Sequence, residues 1–211
     1  MDEPSRGEFV RRLGRLREAS VTPIAIEASL PCPIEPPDRK RTAIGQAVTE
    51  IIALLDAAAA AGINLVILHP AGGRHDAHPA LPREESCNHF IEVLLAARFD
   101  AEARAARIAF DVSSADFLGT PSAARAMIDE CNSYWAGAHV AFEWPIVSTG
   151  EAAEWMAALG RRVYAVTVIA PESSVSADGV SALRDSSSMI TSNIRQSFAL
   201  DGFPRGCPFI V

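Results

Sequence analysis

Six apolar runs recur along this chain, separated by stretches with helical spacing, and most end in a polar residue or a turn. They are Thr22–Glu27, Asn64–His69, Arg107–Asp111, His139–Glu143, Arg162–Ile169 and Cys207–Val211. A strand buried on both faces reads as a continuous apolar stretch, and helical crossovers between such strands imply a parallel sheet. Ligands of such sheets gather at the carboxyl ends of the strands. The pattern predicts an α/β fold with one shared rim, to which Glu27, His69, Asp111 and Glu143 contribute.

With 211 residues, 49% of them hydrophobic, the chain is expected to bury its core as a single domain over 1–211. A net charge of −7 gives no general attraction for a phosphate backbone, so nucleic acid is not an expected partner. The basic cluster Arg11, Arg12, Arg15 and Arg17 reads as the solvated face of a helix whose other side carries Phe9, Leu13 and Leu16, or else as an anion-binding patch. No run is read as reaching the ~18–20 apolar residues of a membrane span. The opening Asp2, Glu3 and Pro4 do not resemble a signal segment, so a cytoplasmic protein is expected. Cys32, Cys87, Cys131 and Cys207 contain no Cys-x-x-Cys pair and read as reduced thiols.

Proline in Leu30–Pro37 removes backbone donors and fixes φ, which predicts a loop after the first strand. Ile44, Val48, Ile51, Ile52 and Leu55 recur at helical spacing from Thr42 to Ala61, and Gly62 ends that helix. A long helix is expected from Arg83 to Ala106, and another starting at Thr120-Pro121, where the hydroxyl caps a free amide. Ser148–Glu151 has the form of a capping box for a helix closed by Gly160, and a last helix is expected near Ser187–Leu200.

Asp111 and Glu143, on neighbouring strands, form a pair in which one carboxylate acts as base while the other stays charged; the competing reading is ion pairing to Arg74 or Arg107. His69 ends a strand and precedes Pro70-Ala-Gly-Gly, which lets backbone approach a ligand, so it reads as a catalytic, binding or hydrogen-bonded structural residue. His75, Asp76 and His78 form a loop cluster that could supply ligands. Glu27 reads as a substrate contact at the same mouth or as a buried partner of a lysine or arginine, and Trp144 as an apolar wall for a ligand ring or as a core or interface residue.

The order of elements from residue 22 onward resembles the xylose isomerase-like TIM barrels, the sugar phosphate isomerase/epimerase superfamily. The resemblance rests on Ala60–Pro70, on the strands ending in Asp111 and Glu143, and on Leu200–Val211, where a Gly-Phe turn precedes the last strand. It begins near the family's third strand, which implies a reduced barrel of about six strands. The family holds a divalent metal on Glu, Asp, His and Glu from four strands. Here those positions hold Asp111, Glu143, Thr167 and Val211, so two ligands are replaced. The resemblance implies a metal-assisted isomerase or epimerase acting on a hydroxy-carbonyl, sugar-type ligand. Asp111, Glu143 and His69 would be its catalytic and metal residues, Glu27, Trp144 and His75 its substrate contacts, and Mn, Mg or Zn its ion. The alternative is an inactive homologue, with no metal, that keeps the fold for ligand binding or assembly. A homodimer is expected to cover the exposed strand edges.

Overall fold

The structure, a computed structural model, describes residues 23–31, 40–71, 83–113, 118–143, 151–169 and 209–210, together with 11, 14, 15 and 18. Within them lie six strands, β1 (Ile26–Pro31), β2 (Leu65–Ala71), β3 (Arg107–Asp111), β4 (Ala136–Glu143), β5 (Val163–Ile169) and β6 (Phe209–Ile210). Four helices intervene, α1 (Lys40–Ala61), α2 (Arg83–Ala103), α3 (Pro121–Glu130) and α4 (Glu151–Leu159). The strands form one parallel sheet in the simple order β1-β2-β3-β4-β5-β6.

That order has a geometric consequence. Parallel crossovers are right-handed, so a sheet that never reverses its order sends every helix to the same face. Among the described residues no helix covers the opposite face, which then curls on itself, as in a (β/α) barrel. The two core clusters follow this division. Ile26, Leu30, Val66, Leu68, Ile108, Phe110, Ala138, Val140 and Val166 pack with the helices, while Leu65, Ile67, Ala109, Tyr164 and Ala165 form a smaller core on the inner face.

The helices present apolar stripes to the outer face. On α1 Ala47, Ile51, Leu55 and Ala58 are buried, and Gly62 ends the helix with φ at +69°. The segment Arg41–Ala61 is long and apolar enough by length and composition to cross a membrane, with a mean hydropathy of 1.5, which corrects the reading that no run reaches that length. Here its apolarity serves the core. α3 begins as the sequence predicts, with Thr120 Oγ1 accepting from the Ala123 amide at 3.3 Å and Pro121 at its first position. Arg125 of α3 donates to the Leu159 carbonyl at 2.9 Å, and Asp129 accepts from Arg125 and from Arg162, the latter at 2.9 Å.

Several strand boundaries differ from expectation, those of β1 and β4 with most consequence. β1 runs from Ile26 through Pro31 rather than ending at Glu27, because proline is tolerated at the end of a strand that pairs only with β2 among the described residues. β4 starts three residues early and brings Gly137 against Tyr164. The register there is irregular: Val163 pairs Ala138 and Ala165 pairs His139, which leaves Tyr164 as an extra residue. The helix expected near Ser187–Leu200 lies outside the described residues.

Candidate functional site

Strand periodicity sets the site. With a period of two, the side chains that alternate with the outer core face inward. Above the inner apolar floor the residues in phase are Glu27 on β1, His69 on β2, Asp111 on β3, His139 on β4 and Thr167 on β5, one from each of five adjacent strands. They form a continuous polar row. His69 Nε2 lies 3.4 Å from Glu27 Oε2, and His69 Nδ1 lies 2.8 Å from Asp111 Oδ2. Asp111 Oδ1 is 3.5 Å from His139 Nδ1, and His139 Nε2 is 2.8 Å from Thr167 Oγ1. The imidazoles of His69 and His139 meet edge to face at 5.6 Å.

Asp111 is the hub. Its Oδ1 also accepts from the Ser113 amide at 3.1 Å and the Ser113 hydroxyl at 2.7 Å, and that hydroxyl accepts in turn from the Ala141 amide of β4 at 2.8 Å. Burial, the largest single influence, pushes the Asp111 carboxyl up; contacts with His139, His69 and Ser113 outweigh it and hold the group well below the usual carboxylate range. The Asp111 bond on Nδ1 and the charges of Asp111 and Glu27 raise His69 above its ordinary value, against the opposing pull of burial. The row is therefore a buried anion flanked by two imidazoles.

Exposure is graded along it. The side chains of Glu27 and His69 are 48% and 30% exposed, that of Asp111 only 3%, and that of His139 1%. The first two can meet a ligand; the inner members orient and charge them. His139 Nδ1 is buried with no hydrogen bond, and one atom each of His69, Asp111 and His139 lie within 4.8 Å of one another, a grouping able to hold a metal ion.

Of the residues singled out in the sequence, the structure brings Glu27, His69, Asp111 and Thr167 together. The register places His139 beside Asp111, where Glu143 was expected. Glu143 closes β4 four residues later, about 13 Å further along at ordinary strand rise. Arg107 is no partner of Asp111: it lies at the other end of β3, its guanidinium 5.0 Å from the rings of both Tyr134 and Tyr164. His75, Trp144 and Val211 lie outside the described residues, as do Arg74, Asp76 and His78. Sequence reasoning missed His139 and Ser113. The signal for His139 was its phase, two and four residues before Ala141 and Glu143 in an otherwise apolar strand.

The site is distinct from an outer groove of about 500 Å3 between α2 and α3, whose lining includes Glu84, Cys87, Asn88, Ile91, Met127 and Glu130.

No protein-family model matches the chain, and no curated protein matches it in sequence. Solved structures do match its fold. The 3-keto-D-glucoside 4-epimerase YcjR from E. coli is 11% identical, over 94% of this chain and 76% of that one, with a TM-score of 0.64. A xylose isomerase domain protein from Planctomyces limnophilus is 12% identical, over 92% and 85%, with a TM-score of 0.56. The IolI protein with a bound zinc atom is 15% identical over 74% of this chain, which spans 55% of that chain's length, with a TM-score of 0.52. Simple parallel strand order, helices on one face and these likenesses together show that the chain has the parallel (β/α) barrel-type fold of these proteins.

Proposed function

We propose that the chain carries out isomerase- or epimerase-type proton transfer on a small hydroxy-carbonyl, sugar-type ligand at the mouth of the barrel. The observation that carries this reading is the accessible Glu27–His69 pair, backed by the buried Asp111. Moving a proton next to a carbonyl needs a base and an electrophile on the carbonyl oxygen. Asp111 is a poor base, since it is buried and held ionised; its role is to keep His69 oriented and protonated. The His69 Nε2–H then polarises the carbonyl while Glu27 takes the neighbouring proton. Glu143, at the end of β4, and the loop residues Trp144 and His75 are further candidates for holding the ligand.

The donor set fits a divalent ion, because the orphaned His139 Nδ1 faces Asp111 and His69. His69, Asp111 and His139 would hold it. When bound it would supply a Lewis acid for the same carbonyl oxygen. Glu27 would remain the base.

The test is incubation with ketoses, aldoses and their phosphates in D2O, following exchange at the carbon beside the carbonyl by NMR. Glu27→Gln and His69→Asn should each slow exchange by about 10²–10⁴-fold, the span of acid–base catalysis. A panel with neither binding nor exchange would sink the proposal. Binding without exchange supports a second reading, a non-catalytic ligand binder, which Thr167 favours because it stands at an expected ligand position and is engaged with His139. The proposal includes a homodimer covering the β1 edge, which light scattering would read as twice the 22.5 kDa chain mass; a monodisperse monomer would exclude it.

A further inference from the structure

We infer that His69, Asp111 and His139 form a three-ligand site selective for a zinc-class ion over magnesium or manganese, with Thr167 as the positioning residue that aims His139 into it. This deepens the functional reading above and rests on it for the site's place in the barrel.

Ligand chemistry supports the selectivity. Two imidazoles and one carboxylate suit zinc, cobalt or iron, whereas magnesium and manganese favour all-oxygen sets. Three protein donors leave a coordination position open, as catalytic zinc sites do. The donors are already gathered: the three chosen atoms lie within 4.8 Å, and the ligand atoms of a tetrahedral zinc site stand about 3.3–3.5 Å apart at ordinary bond lengths.

The outer layer gives the second, independent argument. Metal-bound histidines almost always give their other nitrogen to a hydrogen-bond partner, which fixes the tautomer and ring orientation. Here every donor has such a partner. His139 Nε2 has Thr167 Oγ1 at 2.8 Å, His69 Nε2 has Glu27 Oε2 at 3.4 Å, and Asp111 Oδ1 has both the amide and hydroxyl of Ser113. His139 is buried with its Nδ1 unbonded, so the nitrogen left over by Thr167 is the one that faces Asp111. In this site Thr167 is not a ligand lost but support for a ligand carried by the neighbouring strand.

The experiment is equilibrium dialysis of chelator-stripped protein against zinc, cobalt, manganese and magnesium, with the visible spectrum of the cobalt form as a geometry readout. The expected result is stoichiometric zinc and cobalt, with magnesium and manganese at least about 100-fold weaker. His139→Ala should abolish binding. Thr167→Val should weaken it about 10–100-fold and alter the cobalt spectrum, and Thr167→Ser should restore both. Should His139→Ala fail to fold by circular dichroism, His69→Ala, at a partly exposed position, carries the same test. No zinc-class binding, equal binding of magnesium, or no effect of both histidine variants would overturn the assignment of the site; Thr167→Val matching wild type would overturn the positioning role. Ion binding is read without turnover. Zinc bound without proton exchange therefore refutes only the proposed reaction, and proton exchange by a protein that binds no zinc-class ion refutes only this inference.

Discussion

At the scale of single residues, the site's chemistry depends on phase and partner more than on residue type. Asp111 and His69 could be picked out in the sequence because each ends an apolar run, where a polar side chain has little structural reason to be. His139 escaped because it sits inside a run, and nothing local shows that β3 would set Asp111 beside it. Gly137 is likewise silent in sequence, yet a Cβ there would lie 2.5 Å from the Tyr164 ring and 2.7 Å from the Arg162 carbonyl oxygen. Gly137→Ala should therefore cost about 1–3 kcal/mol, measured by urea unfolding. A variant as stable as wild type would show that the ring yields. Asp129 offers a pH test. Burial, the largest influence, raises its carboxyl, but Arg125 and Arg162 outweigh it and hold it below its ordinary value. A depressed folded value adds stability that is complete above the unfolded value near ~3.9 and is lost as pH falls through the folded one. Asp129→Asn should thus be less stable at neutral pH by no more than about 1 kcal/mol, since the side chain is 40% exposed, and the gap should close in acid. A gap that persists at low pH would assign the effect to something other than charge.

At the scale of elements, boundaries were legible where a residue has only one good use. Gly62 stops α1, Thr120 caps α3, and Gly160 follows α4 with φ at +52°, each as the sequence implies. β1 was not legible. Its prolines signalled a break, but an outer strand has no second neighbour to disappoint, and Pro31 stays within it. Removing the α3 cap by Thr120→Ala should cost about 1 kcal/mol in the same unfolding assay. For α1, membrane-like composition and core packing make opposite forecasts. Leu55→Ala, at a fully buried position, should cost about 2–5 kcal/mol in detergent-free buffer, while Glu50→Ala, at an exposed one, should stay within about 0.5 kcal/mol. Equal effects would mean that α1 does not pack as described.

At the scale of the whole molecule, apolar runs told where strands lie but not which of their faces would turn inward, because a strand buried on both sides carries no alternation to read. The order of the strands supplied that answer by sending the helices to one side. One detail then decides what the interior contains. Tyr164 and Ala165 both belong to the inner core, while Val163 before them and Val166 after them belong to the outer one. Tyr164 is thus a single unpaired insertion that shifts the remainder of β5 by half a pleat. If β5 were straightened with Tyr164 retained, strict alternation from Val163 would turn Thr167 out toward the helices and Val166 into the chamber, whereas deletion of Tyr164 itself would leave Val163, Ala165, Val166 and Thr167 alternating regularly with Thr167 still inward. The reading frame of the fold, as distinct from that of the gene, is thus set by the bulge as a whole: the lineage can lose this one extra residue and keep the chamber's lining, but it cannot iron the bulge out with every residue in place.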